Sequence, residues 1–196
     1  MKLTEGFLEG VAAAAVDDGL VDAYYATVTT ALGKLLVIET PQGVCRVGFE
    51  EEDPDALLAN VALRVGPRIV RAKGATSEAR DALEAYLSGE QNALELPVDL
   101  ALAPSTFGRS VLAGLAAVPR GTVTTYASLA ASIGCPGAAR AVGTALGRNP
   151  VPIVIPCHRV VPGGGGVGGY AGGAARKELL LRLEGYAQGP TPSRGS

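Results

Sequence analysis

Two adjacent residues, Cys157 and His158, carry the side chains best suited to nucleophilic chemistry in this sequence. A thiol becomes a strong nucleophile as its thiolate, and a neighbouring imidazole or the positive charge of Arg159 would lower its pKa. Adjacent side chains of an extended strand point to opposite faces, so direct pairing requires a turn here, and otherwise a bridging water would carry the proton. The same pair is also compatible with a buried cysteine beside a hydrogen-bonded structural histidine.

The three cysteines, Cys45, Cys135 and Cys157, are odd in number and widely spaced, which argues against a disulfide framework and favours a reducing compartment. His158 is the only histidine and no Cys-x-x-Cys pair is present, so we expect neither a metal site nor a cofactor. No apolar run approaches the ~18 residues that a membrane-spanning helix needs, and the acidic N-terminus does not resemble an export signal. We therefore expect a cytoplasmic protein without membrane contact.

Two short helices in the second half of the chain are predicted to form a helix-turn-helix. Thr124 or Thr125 caps the first, which ends at Gly134, and the second extends from about Ala138 to Gly147. Two short helices with a glycine between them are common, so an Ala-rich helix packed in a core is the alternative.

Other elements of the second half frame this helix pair. Ser105 or Thr106 caps a preceding helix, and Val151–Ile155, interrupted by prolines, is predicted to be extended without joining a sheet ladder. Gly163–Gly169 is predicted to be a flexible loop or a loop whose backbone closely approaches a ligand. Ala174–Glu184 is predicted to be the last helix of the chain.

The first half of the chain alternates short β-branched runs with helical patterns. Tyr24–Thr30, Lys34–Thr40 and Val44–Phe49 are separated by good turns and predict a β-meander. Helices are predicted over Asp53–Val65 and from Ser77 to a stop at Gly89.

Charge is distributed unevenly along the chain. Residues 1–99 carry 8 Lys and Arg against 17 Asp and Glu, whereas residues 100–196 carry 9 against 2. A long stretch without carboxylates favours a polyanionic partner, although chance in an Ala- and Gly-rich segment would give the same pattern. The basic residues between Asp99 and Glu178 are Arg109, Arg120, Arg140, Arg148, Arg159, Arg176 and Lys177.

The charge reversal and a Pro-containing linker place a domain boundary near residue 100. We predict an extension at residues 1–20, an N-terminal α/β domain at 21–100, a second domain at 101–186 and a tail at 187–196.

The string PVPIVIPCHRVV closely resembles the active-site segment of the O6-alkylguanine-DNA alkyltransferases, also called methylated-DNA–protein-cysteine methyltransferases. TVTTYASLA is similar to the family's first helix of the pair, AARAVGTALGRNP to its recognition helix and Asn hinge, and KELLLRLEG to its closing helix. The likeness is close over residues 104–185 and general over residues 20–100. It implies an α+β fold: a small N-terminal antiparallel sheet with helices in a ribonuclease H-like layout, then a mostly helical domain with the helix-turn-helix. It also implies that residues 101–186 are a DNA-binding alkyltransferase domain.

The resemblance implies a role for each residue of the reaction centre. Cys157 would accept the alkyl group, and His158 would act through a water as the base that forms its thiolate. Glu184 would orient the imidazole, Tyr126 would donate a proton toward a ring nitrogen of guanine, and Asn149 would fix the hinge after the recognition helix.

The resemblance also implies a DNA surface and a base pocket. Arg140 would fill the gap left by an extruded nucleotide, because side-chain wedges offset the cost of unstacking. The remaining residues expected at the DNA are Thr125, Ala139, Ala141, Gly143 and Arg148. The residues expected around the base are Tyr126, Val160, Tyr170 and Ala171, the last at a position where the family often has Ser.

The expected function is single-use repair of double-stranded DNA that contains O6-alkylguanine, with O4-alkylthymine as a further candidate substrate, by a monomer. A non-catalytic alkylguanine-binding protein that recruits other factors is the first alternative, but such relatives lack the acceptor cysteine. A Cys/His hydrolase is the second, and it would need an oxyanion hole and usually a distant histidine.

Overall fold

The computed structural model describes residues 4–186 and forms two compact units, which divide between Leu102 and Ala103. Each unit combines helices with a small sheet, so the predicted α+β class is confirmed. The helices are α1 Glu5–Asp17, α2 Pro54–Arg64, α3 Ser77–Ser88, α4 Thr106–Ala116, α5 Tyr126–Ser132, α6 Ala139–Leu146 and α7 Ala174–Leu183. The strands are β1 Ala23–Thr30, β2 Gly33–Thr40, β3 Gly43–Phe49, β4 Ile69–Arg71, β5 Thr124–Thr125 and β6 Val160–Val161.

The sheet of the first unit has the order β3-β2-β1-β4. Strands β1, β2 and β3 pair antiparallel and form the predicted meander. The sheet is mixed rather than wholly antiparallel, because β4 pairs parallel to β1. Strand β4 was not predicted, because its three residues are too few to show an alternating pattern.

Helices of the first unit begin and end where capping residues stand. The side chain of Asp53 caps α2, and Gly89 ends α3 in the left-handed conformation at φ +85°. The buried cluster behind the sheet contains Ile38, Cys45 and Val61, so Cys45 behaves as a small core residue.

The second unit is built mainly from α4–α7. Ser105 caps α4, accepting a hydrogen bond from the Gly108 N–H at 3.0 Å, and Thr125 caps α5 in the same way through the Ser128 N–H at 3.1 Å. Residues 133–138 connect α5 to α6, and the two short strands β5 and β6 pair in parallel.

The segment before Cys157 differs from its prediction. Val151–Ile155 is not extended but folds into a tight turn, in which the Ile155 N–H donates to the Val151 carbonyl at 2.9 Å and Ile153 has φ +76°. The side chain of Asn149 holds both ends of the turn: its Oδ1 accepts from the Val151 N–H and its Nδ2 donates to the Ile155 carbonyl, each at 3.0 Å. These bonds satisfy backbone groups that a strand would have left for a neighbouring strand.

Within residues 4–186, no helix is both long and apolar enough to cross a membrane.

Thr125 provides the cap for the helix that begins with Tyr126. We expect Thr125→Ala to lower the free energy of unfolding by about 1 kcal/mol, because the Ser128 N–H loses its acceptor. Thr125→Ser keeps the oxygen and should change stability by less than about 0.5 kcal/mol. Urea unfolding followed by circular dichroism measures both, and equal losses in the two variants would show that the capping oxygen is not the source.

Candidate active site

Cys157 opens a single 3-10 turn, Cys157–Arg159, immediately after Pro156. The turn replaces the strand that would have pointed Cys157 and His158 to opposite faces. Cys157 is 6% exposed, and its Sγ accepts a hydrogen bond from Asn149 Nδ2 at 3.3 Å. Asn149 therefore anchors the preceding turn and also contacts the sulfur directly.

The Cys157 side chain forms part of the wall of a cavity of about 310 Å³. The cavity is lined by Tyr126, Gly143, Leu146, Gly147, Cys157, Gly169, Tyr170 and Ala171. Three of the four residues predicted for a base pocket are among them, but Val160 is not. Val160 is buried, and its backbone is hydrogen-bonded on both sides. Its N–H donates to the Cys157 carbonyl, and its carbonyl accepts a hydrogen bond from Lys177 Nζ at 2.6 Å.

His158 follows Cys157 in the chain and forms a buried pair with Glu184. His158 is fully buried, and its Nε2 lies 2.6 Å from Oε1 of Glu184, the residue that ends α7. Arg159 holds the same carboxylate with two hydrogen bonds, from Nε to Oε2 at 2.9 Å and from Nη2 to Oε1 at 3.0 Å. Such a two-pronged contact fixes the carboxylate plane as well as its charge.

The partners of Glu184 determine which nitrogen of His158 carries a proton. An ionised carboxylate only accepts hydrogen bonds, so Nε2 of a neutral imidazole must be the donor and Nδ1 is left as an acceptor. Within the part of the chain that the structure describes, Nδ1 is buried and has no hydrogen-bond partner. The imidazole is therefore arranged to take up a proton at Nδ1.

Burial affects the two titrating groups in opposite directions. It raises the pKa of the Cys157 thiol to about 11, although the Asn149 hydrogen bond and the Lys177 charge oppose the shift. It lowers the pKa of His158, while the Glu184 carboxylate opposes that shift. At neutral pH the site thus holds a protonated thiol and a neutral imidazole, and forming the thiolate requires a base.

Tyr126 is the first residue of α5, and its half-buried ring lines the cavity. Burial, with a smaller contribution from Cys157, raises the pKa of the Tyr126 hydroxyl above its ordinary value. The hydroxyl therefore keeps its proton at neutral pH and can donate it inside the cavity.

Three cations of the acid-free stretch are used inside the unit, which corrects their assignment to a polyanionic partner. Arg159 binds Glu184, Arg120 donates to the Leu183 carbonyl at 2.6 Å, and Lys177 is fully buried. Lys177 Nζ donates to the carbonyls of Val160 at 2.6 Å and Gly169 at 3.2 Å, so it joins the turn after Cys157 to the glycine-rich loop. The amphipathic pattern of α7 does not indicate that this lysine is buried.

The residues predicted to contact DNA lie mainly on α6 and at its end. Arg140, Ala141 and Arg148 are exposed, whereas Ala139 and Gly143 are half-buried. Val142, Ala145 and Leu146 form the buried face of the helix. Of the predicted DNA residues only Gly143 also lines the cavity, and Thr125 serves as the cap of α5.

Among residues 4–186, no group of three or more His, Cys, Asp and Glu side chains could hold a metal ion.

Two family descriptions match most of the chain. Residues 23–100 match "6-O-methylguanine DNA methyltransferase, ribonuclease-like domain". Residues 106–186 match "6-O-methylguanine DNA methyltransferase, DNA binding domain". The first description agrees with the ribonuclease H-like layout expected for the N-terminal unit.

Two curated relatives share the name methylated-DNA–protein-cysteine methyltransferase. The Salmonella typhimurium protein is 49% identical over 106 residues, which are 54% of this chain and 61% of that protein. The chain thus spans about three fifths of the length of this relative. The Methanosarcina acetivorans protein is 37% identical over 167 residues, covering 83% of this chain and 98% of that protein.

Two solved structures of similar proteins come from Mycobacterium tuberculosis. The O6-methylguanine methyltransferase of that organism has a TM-score of 0.70 and 32% identity, covering 86% of this chain and 95% of that one. OGT in complex with DNA has a TM-score of 0.70 and 35% identity, covering 82% of this chain and 92% of that one.

Because the sequence contains a single histidine, ¹⁵N NMR reports on His158 without overlap. We expect the Nε2–H form at neutral pH and a pKa below the ordinary histidine range, since burial disfavours the imidazolium. Glu184→Gln should lower this pKa further, because it removes the charge that favours the imidazolium.

Glu39→Gln is the matched control, because Glu39 is a buried carboxyl of the first unit. It should leave the His158 titration unchanged. A pKa above the ordinary range, or one that Glu184→Gln does not move, would contradict this description of the pair.

Proposed function

Because the chain belongs to the methylated-DNA–protein-cysteine methyltransferase family, we propose that it transfers the alkyl group of O6-alkylguanine in double-stranded DNA to its own Cys157. The observation that carries the proposal is the position of Cys157: its thiol lies in the wall of a cavity, directly before the buried His158–Glu184 pair. O4-alkylthymine is a further candidate substrate.

The reaction begins with removal of the thiol proton. His158 Nδ1 takes this proton through a bridging water, and the Glu184 carboxylate stabilises the resulting imidazolium. Asn149 Nδ2 and the Lys177 charge stabilise the thiolate, since both favour the ionised sulfur. Deprotonation by a base within the site removes the need for a low thiol pKa in the resting protein.

The thiolate then attacks the alkyl carbon bound to O6. The S–C bond forms as the O6–C bond breaks, and the electron pair of the broken bond passes into the guanine ring. Tyr126 donates a proton to a ring nitrogen of the departing guanine and regains one from the imidazolium through solvent. The sum is a thiol and an O6-alkylguanine converted into a thioether and guanine, without a cofactor.

Each molecule is expected to react once. A thioether is chemically stable, and Cys157 is the only thiol among the described residues that line the cavity. Regeneration would need a second nucleophile at the sulfur-bound carbon. We therefore propose a stoichiometric enzyme rather than a turnover catalyst.

DNA would be bound through residues 101–186, with α5 and α6 as the helix-turn-helix. The small residues Ala139, Ala141 and Gly143 would allow α6 to approach the minor groove closely, and Thr125 and Arg148 would contact its edges. Exposed Arg140 would occupy the space of the extruded nucleotide, which costs less to extrude when it is damaged. We propose that the protein acts as a monomer in the cytoplasm.

Mass spectrometry after incubation with a duplex containing O6-methylguanine tests the transfer. We expect the Cys157 peptide to gain the mass of one methylene group, with no more than one group transferred per protein molecule. Cys157→Ala should bind the alkylated duplex but gain no mass.

Cys135→Ala is the matched control and should be methylated at Cys157 like the unchanged protein, because Cys135 does not line the cavity. Binding by the unchanged protein without a mass change would support the non-catalytic alternative. Methylation of another residue in Cys157→Ala would refute Cys157 as the acceptor.

The role of Arg140 is tested by comparing duplex DNA with the free base. We expect Arg140→Ala to slow transfer from the duplex by about tenfold or more and from free O6-methylguanine by less than about twofold, because only the duplex requires extrusion. Arg182→Ala, on the exposed side of α7, removes the same charge and should leave the duplex rate nearly unchanged. Equal losses in the two variants, or on both substrates, would assign the effect to charge or folding instead.

A further inference from the structure

Ile153 has a backbone conformation that L-amino acids rarely adopt. Its φ of +76° lies in the left-handed region, where the Cβ of a side chain crowds the following carbonyl oxygen and a β-branched residue fits least well. Among residues 4–186, the twelve other positions with a positive φ are all glycines. The described backbone therefore turns left-handed on glycine everywhere except in the segment that leads to Cys157.

The side chain of Ile153 offsets this unfavourable conformation by its burial. Ile153 is 2% exposed, so its side chain belongs to the core of the second unit. Burial of an isoleucine side chain stabilises the fold, and close packing ties the backbone that carries it to its surroundings. Glycine would relieve the backbone but leave it free to adopt other conformations. The isoleucine thus fixes the turn where glycine would loosen it.

Hydrogen bonds connect this strained turn to the reactive sulfur. The N–H of Ile155 closes the turn, and its carbonyl accepts a hydrogen bond from Asn149 Nδ2 at 3.0 Å. The same carbonyl accepts from the Cys157 N–H at 2.8 Å. Asn149 Nδ2 also donates to the Cys157 Sγ at 3.3 Å. A rotation of the backbone at Ile153 would therefore displace the carbonyl on which both of these donors converge.

Prolines leave the segment few ways to absorb such a rotation. Three of the seven residues between Asn149 and Cys157 are prolines, at positions 150, 152 and 156. A proline ring fixes its own φ and also restricts the residue before it. The position of the sulfur consequently depends on the few remaining backbone angles, of which the φ of Ile153 is the one held in an unfavourable range.

We propose that Ile153 is a positioning residue for the transfer reaction, whose buried side chain holds the left-handed turn and thereby keeps Cys157 Sγ at one place in the cavity wall. This role rests on the proposed function, and it is exerted through the Ile155 carbonyl and Asn149 rather than on the substrate. A thiolate reacts fast when its sulfur is held in line with the carbon that it attacks, so a fixed turn raises the rate. Strained residues are found beside reactive groups for this kind of reason.

Ile153→Ala and Ile153→Gly separate the effects of the backbone and the side chain, because both remove the buried side chain but only glycine relieves the left-handed conformation. At most positions the glycine variant of such a pair is the less stable one, since glycine gains more freedom on unfolding. Here we expect the reverse order in urea unfolding followed by circular dichroism. The folded-to-unfolded ratio should be at least about threefold higher for Ile153→Gly than for Ile153→Ala.

Single-turnover methyl transfer from an O6-methylguanine duplex should rank the two variants in the opposite order. Per folded molecule, we expect Ile153→Gly to react at least about tenfold more slowly than the unchanged protein and at least about threefold more slowly than Ile153→Ala. The reason is that the freed turn no longer holds the sulfur in one place. Ile153→Val keeps a buried β-branched side chain and should retain the rate within about threefold.

Alkylation of Cys157 by iodoacetamide, followed by peptide mass spectrometry, measures the same freedom of the turn without DNA. The thiol of the unchanged protein is buried and should react slowly. Ile153→Gly should react at least about threefold faster than Ile153→Ala, although it is the more stable variant, because a looser turn exposes the sulfur more often.

Val111 is the matched control, because it is fully buried and β-branched in the same unit but lies within the right-handed helix α4. Val111→Gly should be less stable than Val111→Ala, which is the ordinary order. The methyl-transfer rates of the two variants, per folded molecule, should agree within about twofold.

Ile153→Met is the milder variant should both small substitutions leave the protein unfolded. It keeps the buried volume, but its side chain is unbranched and flexible and holds the turn less firmly. We expect it to transfer methyl about threefold more slowly than Ile153→Val, per folded molecule. Equal rates in these two variants would overturn the positioning role.

The outcomes separate the two proposals. Absence of methyl transfer by the unchanged protein would refute the proposed function, while the unfolding and iodoacetamide measurements would still test how the turn holds the thiol. Methyl-transfer rates of Ile153→Ala and Ile153→Gly that follow their stabilities would overturn the positioning role alone. A glycine variant less stable than the alanine variant would overturn it as well, since the turn would then not be held against its own preference.

Discussion

The carboxylate of Glu184 is almost completely buried, and two cationic or potentially cationic side chains share it. A charge in this position is costly unless hydrogen bonds occupy its oxygens, and removing one partner of a buried pair commonly costs about 3–5 kcal/mol. Arg159 meets that requirement with two hydrogen bonds, and its guanidinium balances the negative charge of Glu184. His158 therefore does not need to carry a positive charge. The imidazole can then remain neutral and act as a base, which is the condition for the proposed chemistry.

The same carboxylate determines where several elements of the second unit must lie. Glu184 ends α7, Arg159 belongs to the turn that Cys157 opens, and Arg159 also donates to the Val118 carbonyl beyond α4 at 2.6 Å. Lys177 adds a second connection from α7, to the Val160 carbonyl. The last helix therefore positions the reactive turn through polar bonds as well as through apolar packing. A shift of this helix along its axis would move Glu184 and Lys177 away from their partners in and beside the turn.

Much of the fold was predictable because its signals are local. The caps Asp53, Ser105 and Thr125 stand beside the helices that they begin, and the meander is an alternation of short runs and turns. Strand β4 was missed because a three-residue parallel strand is specified by the strand beside it and not by its own pattern.

The candidate site was predictable as a set of residues but only partly as a geometry. The motif around Cys157 indicated the thiol and the base, and the segment of the closing helix indicated Glu184. The structure pairs His158 with Glu184 in the turn that Cys157 opens. The internal use of Arg159 and Lys177 was not predictable, since a sequence shows charge but not which carbonyl or carboxylate will bind it. The position of Val160 outside the cavity lining was not predictable for a similar reason: proximity to Cys157 along the chain does not decide which side of a turn meets the cavity.

The burial that raises the thiol pKa suits the proposed reaction, in which each molecule reacts once. A cysteine with a low pKa and an exposed sulfur would be consumed by oxidants and other electrophiles before it met the proposed substrate. Cys157 is instead 6% exposed and protonated at neutral pH, so its reactivity depends on the neighbouring base and on a substrate carbon placed against the sulfur. The buried thiol is thus a weak nucleophile in general, and its reaction is restricted to a substrate that fits the cavity.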